Sequence, residues 1–568
     1  MRRSFVALLG SALAAAVVLL GLCVPIRAAE APAAGTWKVV VYEGGAELTL
    51  WLVKIEDKKG KLQAEVLSVG LPNFQGSKVE SVKASAKALD LTIKTNNIPF
   101  AVTAFLPKDD EKPRRIKGFL LFRGIRLFAE LERTELTELD KNPAKNQDRR
   151  PLEALTKAEQ ADDDKEKEDA FQAIIKKYPA RPAAMLAHLA LMRMLAKNDK
   201  PAADIRKHAD GAVKIAGFYG PPMKLTALLQ VARALKGSKE LASEAVTFAR
   251  QAEKMLTKDD PPAEQAAVLK VLTSALHKAG KADEAKYLQV RLQKIEETLD
   301  RDFLKDAIPF KPEPYGGRKG KSNRVAVVEL FTGAQCPPCV AADVAFDALL
   351  KTYKPSDVVF LQYHLHVPGP DPLTNSDSEK RSGFYGVRGT PTFYLDGGDG
   401  PGVGGPKQAS ERAYGALQSA LNEALESDAK AKLKLKATRK GDKIDMTADY
   451  DGLEKPGENM RLLFALVEDV ARYQGSNGQR LHHHVVRSLP NGPEGKALEK
   501  KSGNQSASVS ISDLTKSLEK YLAAFSKKRN YEFEDQPMDL KKLKVVAFIQ
   551  DNDSKKILQA AQVDLEEK

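Results

Sequence analysis

A chain of 568 residues, 43% apolar and 29% charged, is too long for one domain at about 150 residues per domain. Its formal charge of +13 becomes +10 when Arg2, Arg3 and Arg27 are set aside, and the cations are interleaved with Asp and Glu along the whole length. That pattern is a solvated surface and excludes a nucleic-acid stripe.

Residues 1–29 read as a secretory signal, with Arg2 and Arg3 as the basic start, an apolar run from Phe5 to Leu22, and small residues at Ala28 and Ala29. No later stretch has the roughly 18 consecutive apolar residues of a spanning helix. Leu20-Gly21-Leu22-Cys23 resembles a lipid-attachment box with Leu22 where a small residue belongs, so cleavage, lipidation and an uncleaved anchor stay open. The expected location is the periplasm or cell envelope. Beyond the signal only Cys336 and Cys339 remain of the three cysteines. A bridge across two intervening residues constrains almost nothing in the unfolded chain, so the pair is expected to be chemical and not structural.

From 35 to 139 the chain predicts an antiparallel β-sandwich or barrel. Alternating runs such as Trp37–Tyr42, Ala46–Trp51 and Ile116–Phe122 are separated by turns at Asp57–Gly60 and Asn73–Gly76. Residues 150–305 have helical periodicity, and Ala267–Ala285 resembles a tetratricopeptide-type helix hairpin with small residues at the crossings. A repeat array and an irregular bundle both fit. Either would serve protein contact or spacing, and His188, His208 and His277 are expected as surface or core residues. Residues 306–321 form a Pro-, Gly- and Lys-rich linker. Its Gly320-Lys321-Ser322 ending mimics a nucleotide loop but has Tyr315 in place of the first glycine and precedes a strand where a phosphate cradle follows one. The glycines from Gly397 to Gly405 read as a flexible turn.

Arg324–Phe331 has the apolar density of a buried parallel strand, Gln335-Cys336-Pro337-Pro338-Cys339 follows, and Val340–Tyr353 continues with helical spacing. This order puts Cys336 at a helix amino terminus, where free backbone N–H groups and the helix dipole favour thiolate. Asp357–Tyr363 predicts the next buried strand, and Gly386–Leu395 contains Thr390-Pro391. Together these motifs resemble the thioredoxin superfamily over 322–427, closed by a helix at Ala409–Ser427. The resemblance implies that Cys336 attacks, Cys339 resolves, Pro391 is cis beside them and Thr390 touches the reactive sulfur. Gln335 stands where the family has Trp, Pro337 where Gly is common, and Leu330 at the buried Asp position. Glu329 is the nearby carboxylate and would activate Cys339 if the strand turns it that way. An insertion around His366–Ser378 brings a rival reading, in which His364 and His366 join both cysteines on a metal.

From 428 to 568 alternation returns, at Ala431–Ala437, Lys443–Ala448 and Leu462–Glu468, interrupted by one helix near Leu514–Phe525. With Glu329–Gly333 and Val545–Asn552, residues 322–568 resemble a Bacteroidetes envelope family that joins a thioredoxin-like domain to a β-sandwich. In the triplet His482-His483-His484, strand alternation lets only His482 and His484 converge. The fold class expected is multidomain α+β. The function expected is an exported thiol-disulfide oxidoreductase acting on protein thiols and disulfides with an unidentified redox partner, and with no cofactor or metal. The alternative is an envelope scaffold with a passive thioredoxin-like module.

Overall fold

Alternating apolar side chains between short turns give eight antiparallel strands from Gly35–Glu43 to Ile125–Arg133. The structure is a computed structural model that describes residues 33–565 apart from 86, 108–111, 123, 530, 532 and 534. The expected signal at 1–29, including Cys23, lies outside the described residues. Consecutive strands pair as in a meander, except that the third and fourth are the two ends of the order and the first pairs with both the second and the eighth. The sheet therefore curls around one core that holds Trp37, Trp51, Leu91, Val102, Leu120 and Leu131. Asn96 and Asn97, at φ 50° and 64°, make the type of two-residue hairpin whose twist matches the flanking strands.

Eight helices follow among the described residues, from Arg150–Glu159 to Ala282–Asp306. Every second one begins at Asp164, Ala202, Ala242 and Ala282, so the hairpin recurs every 38 to 40 residues, longer than the roughly 34 of tetratricopeptides. Alanines at the crossings, such as Ala184, Ala187, Ala212, Ala216, Ala245 and Ala249, are buried and let the backbones approach. Among the described residues no helix is long and apolar enough to cross a membrane.

The chain is thus mixed α+β, with an N-terminal antiparallel β region, a run of helices, and further sheets ending in a C-terminal β region. It divides into two compact units, one running to Asp260 with Ala267–Gln289, the other Pro261–Ala266 with Val290 onward.

In the second unit one sheet runs through both segments read as separate in the sequence. Its order is Gly398–Asp399, Thr392–Leu395, Ala326–Thr332, Val358–His364, Leu481–Ser488, Gly457–Arg472, Leu543–Asp551, Ile557–Asp564, with Lys496–Leu498 beside Gly457–Arg472. Ala326–Thr332 and Val358–His364 are parallel and buried along their whole length, as the apolar density of their sequences predicts. On one face Ala326, Val328 and Leu330 pack against helices Val340–Thr352 and Ser410–Glu426. Farther along, a three-stranded sheet of Lys432–Lys440, Lys443–Asp451 and Gly503–Ser510 packs through Ile444, Met446 and Ala448 onto Leu462, Phe464 and Ala547, together with helix Ile511–Arg529. On the opposite face Val327, Phe331, Val359 and Leu361 meet Tyr385 of helix Ser376–Tyr385.

Candidate functional site

Cys336 and Cys339 are joined as a disulfide with Cα atoms 5.3 Å apart. Strand Ala326–Thr332 ends at Gly333, where a Cβ would lie 2.6 Å from Val367 O, so the turn into Cys336 has room only for glycine. A 3-10 turn, Pro337–Cys339, then leads into helix Val340–Thr352. The free N–H groups expected around Cys336 are not there. Pro337 and Pro338 have none, Val340 N–H goes to Pro337 O, and Ala341 N–H goes to Gly405 O at 3.0 Å. The donor that does reach Cys336 Sγ is Thr390 Oγ1 at 3.3 Å.

Thr390–Pro391 is a cis bond, as is Val367–Pro368, which nothing in the sequence singled out. The glycine run read as a flexible turn is part of the site. Gly405 N donates to Pro338 O at 2.7 Å while its carbonyl accepts from Ala341, and a Cβ on Gly404 would meet Pro391 at 3.5 Å. The Gly320 mimic also has a role. The main-chain N–H groups of Lys319 and Gly320 hold the Glu426 carboxylate at 2.9 and 3.1 Å.

Cys339 is fully buried and Cys336 only 2% exposed, while Pro337 and Pro338 between them are exposed. The hairpin loop at 473–480 lies over the turn that precedes Cys336. Asn477 N donates to Ala334 O at 3.2 Å, Ser476 N to Gln335 Oε1 at 3.0 Å, and Gln335 Nε2 to Tyr473 OH at 3.1 Å. Gly475 is pressed so closely that a Cβ would sit 2.0 Å from Ala334 O. The base of the loop is pinned by Arg480, which pairs with Glu296 and, at 2.6 Å, with Asp300. Gln335 thus bonds to partners about 140 residues away.

Glu329 does not face the cysteines. Strand alternation turns it to the side opposite Leu330, where Arg381 Nε and Nη2 donate to it at 2.9 and 3.0 Å and Tyr385 OH adds a third bond. This corrects the expectation that it activates Cys339. Of the two carboxylates on the cysteine helix, Asp343 and Asp347, Asp343 lies four residues beyond Cys339, and no sequence motif marks it. Thr332 Oγ1 and Gln362 Nε2 donate to its Oδ1 at 2.8 and 3.3 Å, and among the described residues its Oδ2 has no partner. Burial pushes its pKa well above the ordinary carboxylate range. Its signal in the sequence was an acid, one of two with Asp347, within the largely apolar run Val340–Leu350.

His364 and His366 are not gathered around the cysteines, which are bonded to each other. His364 Nδ1 pairs with Asp371 Oδ2 at 2.8 Å and its Nε2 meets Gln362 Oε1 at 3.3 Å. His366 accepts from Asp371 N at 3.0 Å and meets Tyr521 OH at 3.1 Å. Asp371 Oδ2 also accepts from Ala334 N at 2.6 Å, which ties the insertion to the turn before Cys336. Burial raises the Asp371 pKa, but His364 and the N–H groups of Ala334 and Leu373 bring it below the ordinary value.

The histidine triplet departs from strand alternation. His484 adopts φ 54° while its strand stays in register with the facing one, the register shift coming later, at Arg487. His483 and His484 consequently line one cavity of about 320 Å³ with Leu304, Leu350 and Lys544, while His482 lies edge-on to His364. Alternation would have let only His482 and His484 converge; the left-handed backbone of His484 turns its side chain to join His483 instead.

No protein-family model matches the chain, and no curated protein matches it. Among solved structures, HBP35 of Porphyromonas gingivalis is similar over 44% of this chain and 77% of its own, at 17% identity and a TM-score of 0.30.

Proposed function

We propose that the chain is an exported thiol-disulfide oxidoreductase of the thioredoxin-like kind. The single observation that carries this reading is the local arrangement. A disulfide across two prolines opens a helix after a buried parallel strand, and the hydroxyl of Thr390, next to a cis proline, lies 3.3 Å from the first sulfur. The neighbouring strand order supports it, with Thr392–Leu395 antiparallel on one side of Ala326–Thr332 and Val358–His364 parallel on the other. In the reduced protein Cys336 thiolate attacks a client disulfide, and Cys339 then displaces the client from the mixed disulfide. The reverse sequence oxidises a client dithiol.

The 2% exposure of Cys336 favours a second reading, a scaffold in which this module is passive. Under the first reading the 473–480 loop lifts to admit a client. Cys339→Ser, expressed with its natural export route, separates the two. It accumulates mixed disulfides between Cys336 and client proteins, seen as thiol-sensitive bands, if the protein is an oxidoreductase. A chain that traps none while Cys336 can be alkylated in the native state is a scaffold.

A further inference from the structure

The oxidoreductase reading leaves one problem of proton balance. Cys339 must lose its proton to attack, yet it is fully buried. A buried polar atom without a partner calls for an explanation, and Asp343 Oδ2 is such an atom on the same helix. Residues four apart lie on one helix face with Cβ atoms about 6 Å apart, within reach of a single bridging water. Helix Val340–Thr352 begins with Cys339 already at helical angles, φ −74° and ψ −18°, so the relation holds for this pair.

We propose that Asp343 is the proton acceptor of Cys339, taking the thiol proton as Cys339 attacks the mixed disulfide at Cys336. In that step the Cys339 S–H bond breaks toward Asp343 and the Cys339–Cys336 S–S bond forms. The bond from Cys336 to the client sulfur breaks, and the client leaves as a thiolate that water protonates. Two electrons pass from the cysteine pair to the client disulfide, and no other oxidant or reductant is needed.

The surroundings suit this role. Thr332 from one strand and Gln362 from the next both donate to Oδ1, which fixes the carboxyl plane and leaves Oδ2 for the proton. The charged groups around it are Asp347 on its own helix, itself bonded to His483 at 2.7 Å, and Asp371 from the insertion, paired with His364. Burial chiefly, with Asp347 and Asp371 adding to it against the two donors, makes the carboxylate more basic than an exposed one. That brings it nearer the thiol it must deprotonate. Glu329 is no competitor, since Arg381 and Tyr385 hold it on the other face.

The inference rests on the oxidoreductase reading, and one experiment tests them apart. The full chain is reduced with a dithiol, freed of it, and mixed with an equal amount of dithiobis(nitrobenzoate). The first nitrothiolate released reports attack by Cys336, and the second reports displacement by Cys339. In Asp343→Asn the first phase keeps its rate. The second slows about a hundredfold near pH 6 and then gains about tenfold per pH unit toward the intrinsic thiol pKa. Thr332→Val, which keeps the carboxylate but removes a donor, moves the midpoint of the second-phase pH profile upward and leaves its shape. A second phase in Asp343→Asn with the wild-type rate and pH profile overturns the proposal. So does an unmoved midpoint in Thr332→Val, which decides the matter should Asp343→Asn not fold. Absence of the first phase in the wild type overturns the oxidoreductase reading instead.

Discussion

Two buried carboxylates flank the strand Ala326–Thr332, one on each face of the sheet, and they are held in opposite ways. Glu329 has a guanidinium across both oxygens and a tyrosine hydroxyl besides, with Arg381 itself fully buried and capped by Pro493 O at 2.9 Å. Among the described residues Asp343 has two neutral donors on one oxygen and nothing on the other. A compensated buried charge holds elements together, here helix Ser376–Tyr385 to the sheet. An uncompensated one is a group that can change protonation without tearing the fold. The difference teaches that burial and proximity in sequence do not identify the working acid; the partners do.

The largest effect expected from this contrast is on the Glu329 side. Arg381→Met leaves a buried carboxylate without its cation and costs about 3–5 kcal/mol, read from the denaturant midpoint. A loss under about 1 kcal/mol would put the two acids in one class. Next is the loop over the turn that precedes Cys336. Gly475→Val drives a side chain into Ala334 O, costs about 1–3 kcal/mol, and frees the loop. Reduction of the disulfide by a small thiol is then faster than in the wild type at equal temperature, and an unchanged rate would mean that the loop does not limit access.

The smallest effect is a pH dependence on the Asp343 side. Its pKa is raised on folding, so its contribution to stability is complete below the unfolded value, about 3.9, and is lost as pH rises through the folded value. Urea midpoints of the wild type should therefore fall relative to Asp343→Asn as pH rises across that window. Parallel curves would show that the group does not titrate in the folded chain.

Much of the architecture was legible. The alternating runs of 35–139, the helical stretch, the two buried strands and the closing helix at Ser410–Glu426 all follow from apolar periodicity, which is local. The Thr390–Pro391 motif was legible for the same reason, being a short string of residues. Less legible were features that depend on distant partners. The loop at 473–480 reaches Gly333–Gln335 from beyond the closing helix, and Gly405 returns to bracket Pro338. His484 escaped because one left-handed residue breaks the period of two on which face assignment depends.

The sequence by itself determined the element types and the chemistry on offer: two cysteines across two prolines after a buried strand, a threonine before a proline, and acids within apolar runs. Only the tertiary structure decided which acid is neutralised and which is left with an open oxygen, that one sheet carries both the cysteine segment and the C-terminal strands, and that a loop lies over the turn before Cys336. The reason is physical. Periodicity records which way a side chain points from its own backbone, whereas charge compensation and solvent access depend on groups brought up from elsewhere in the chain.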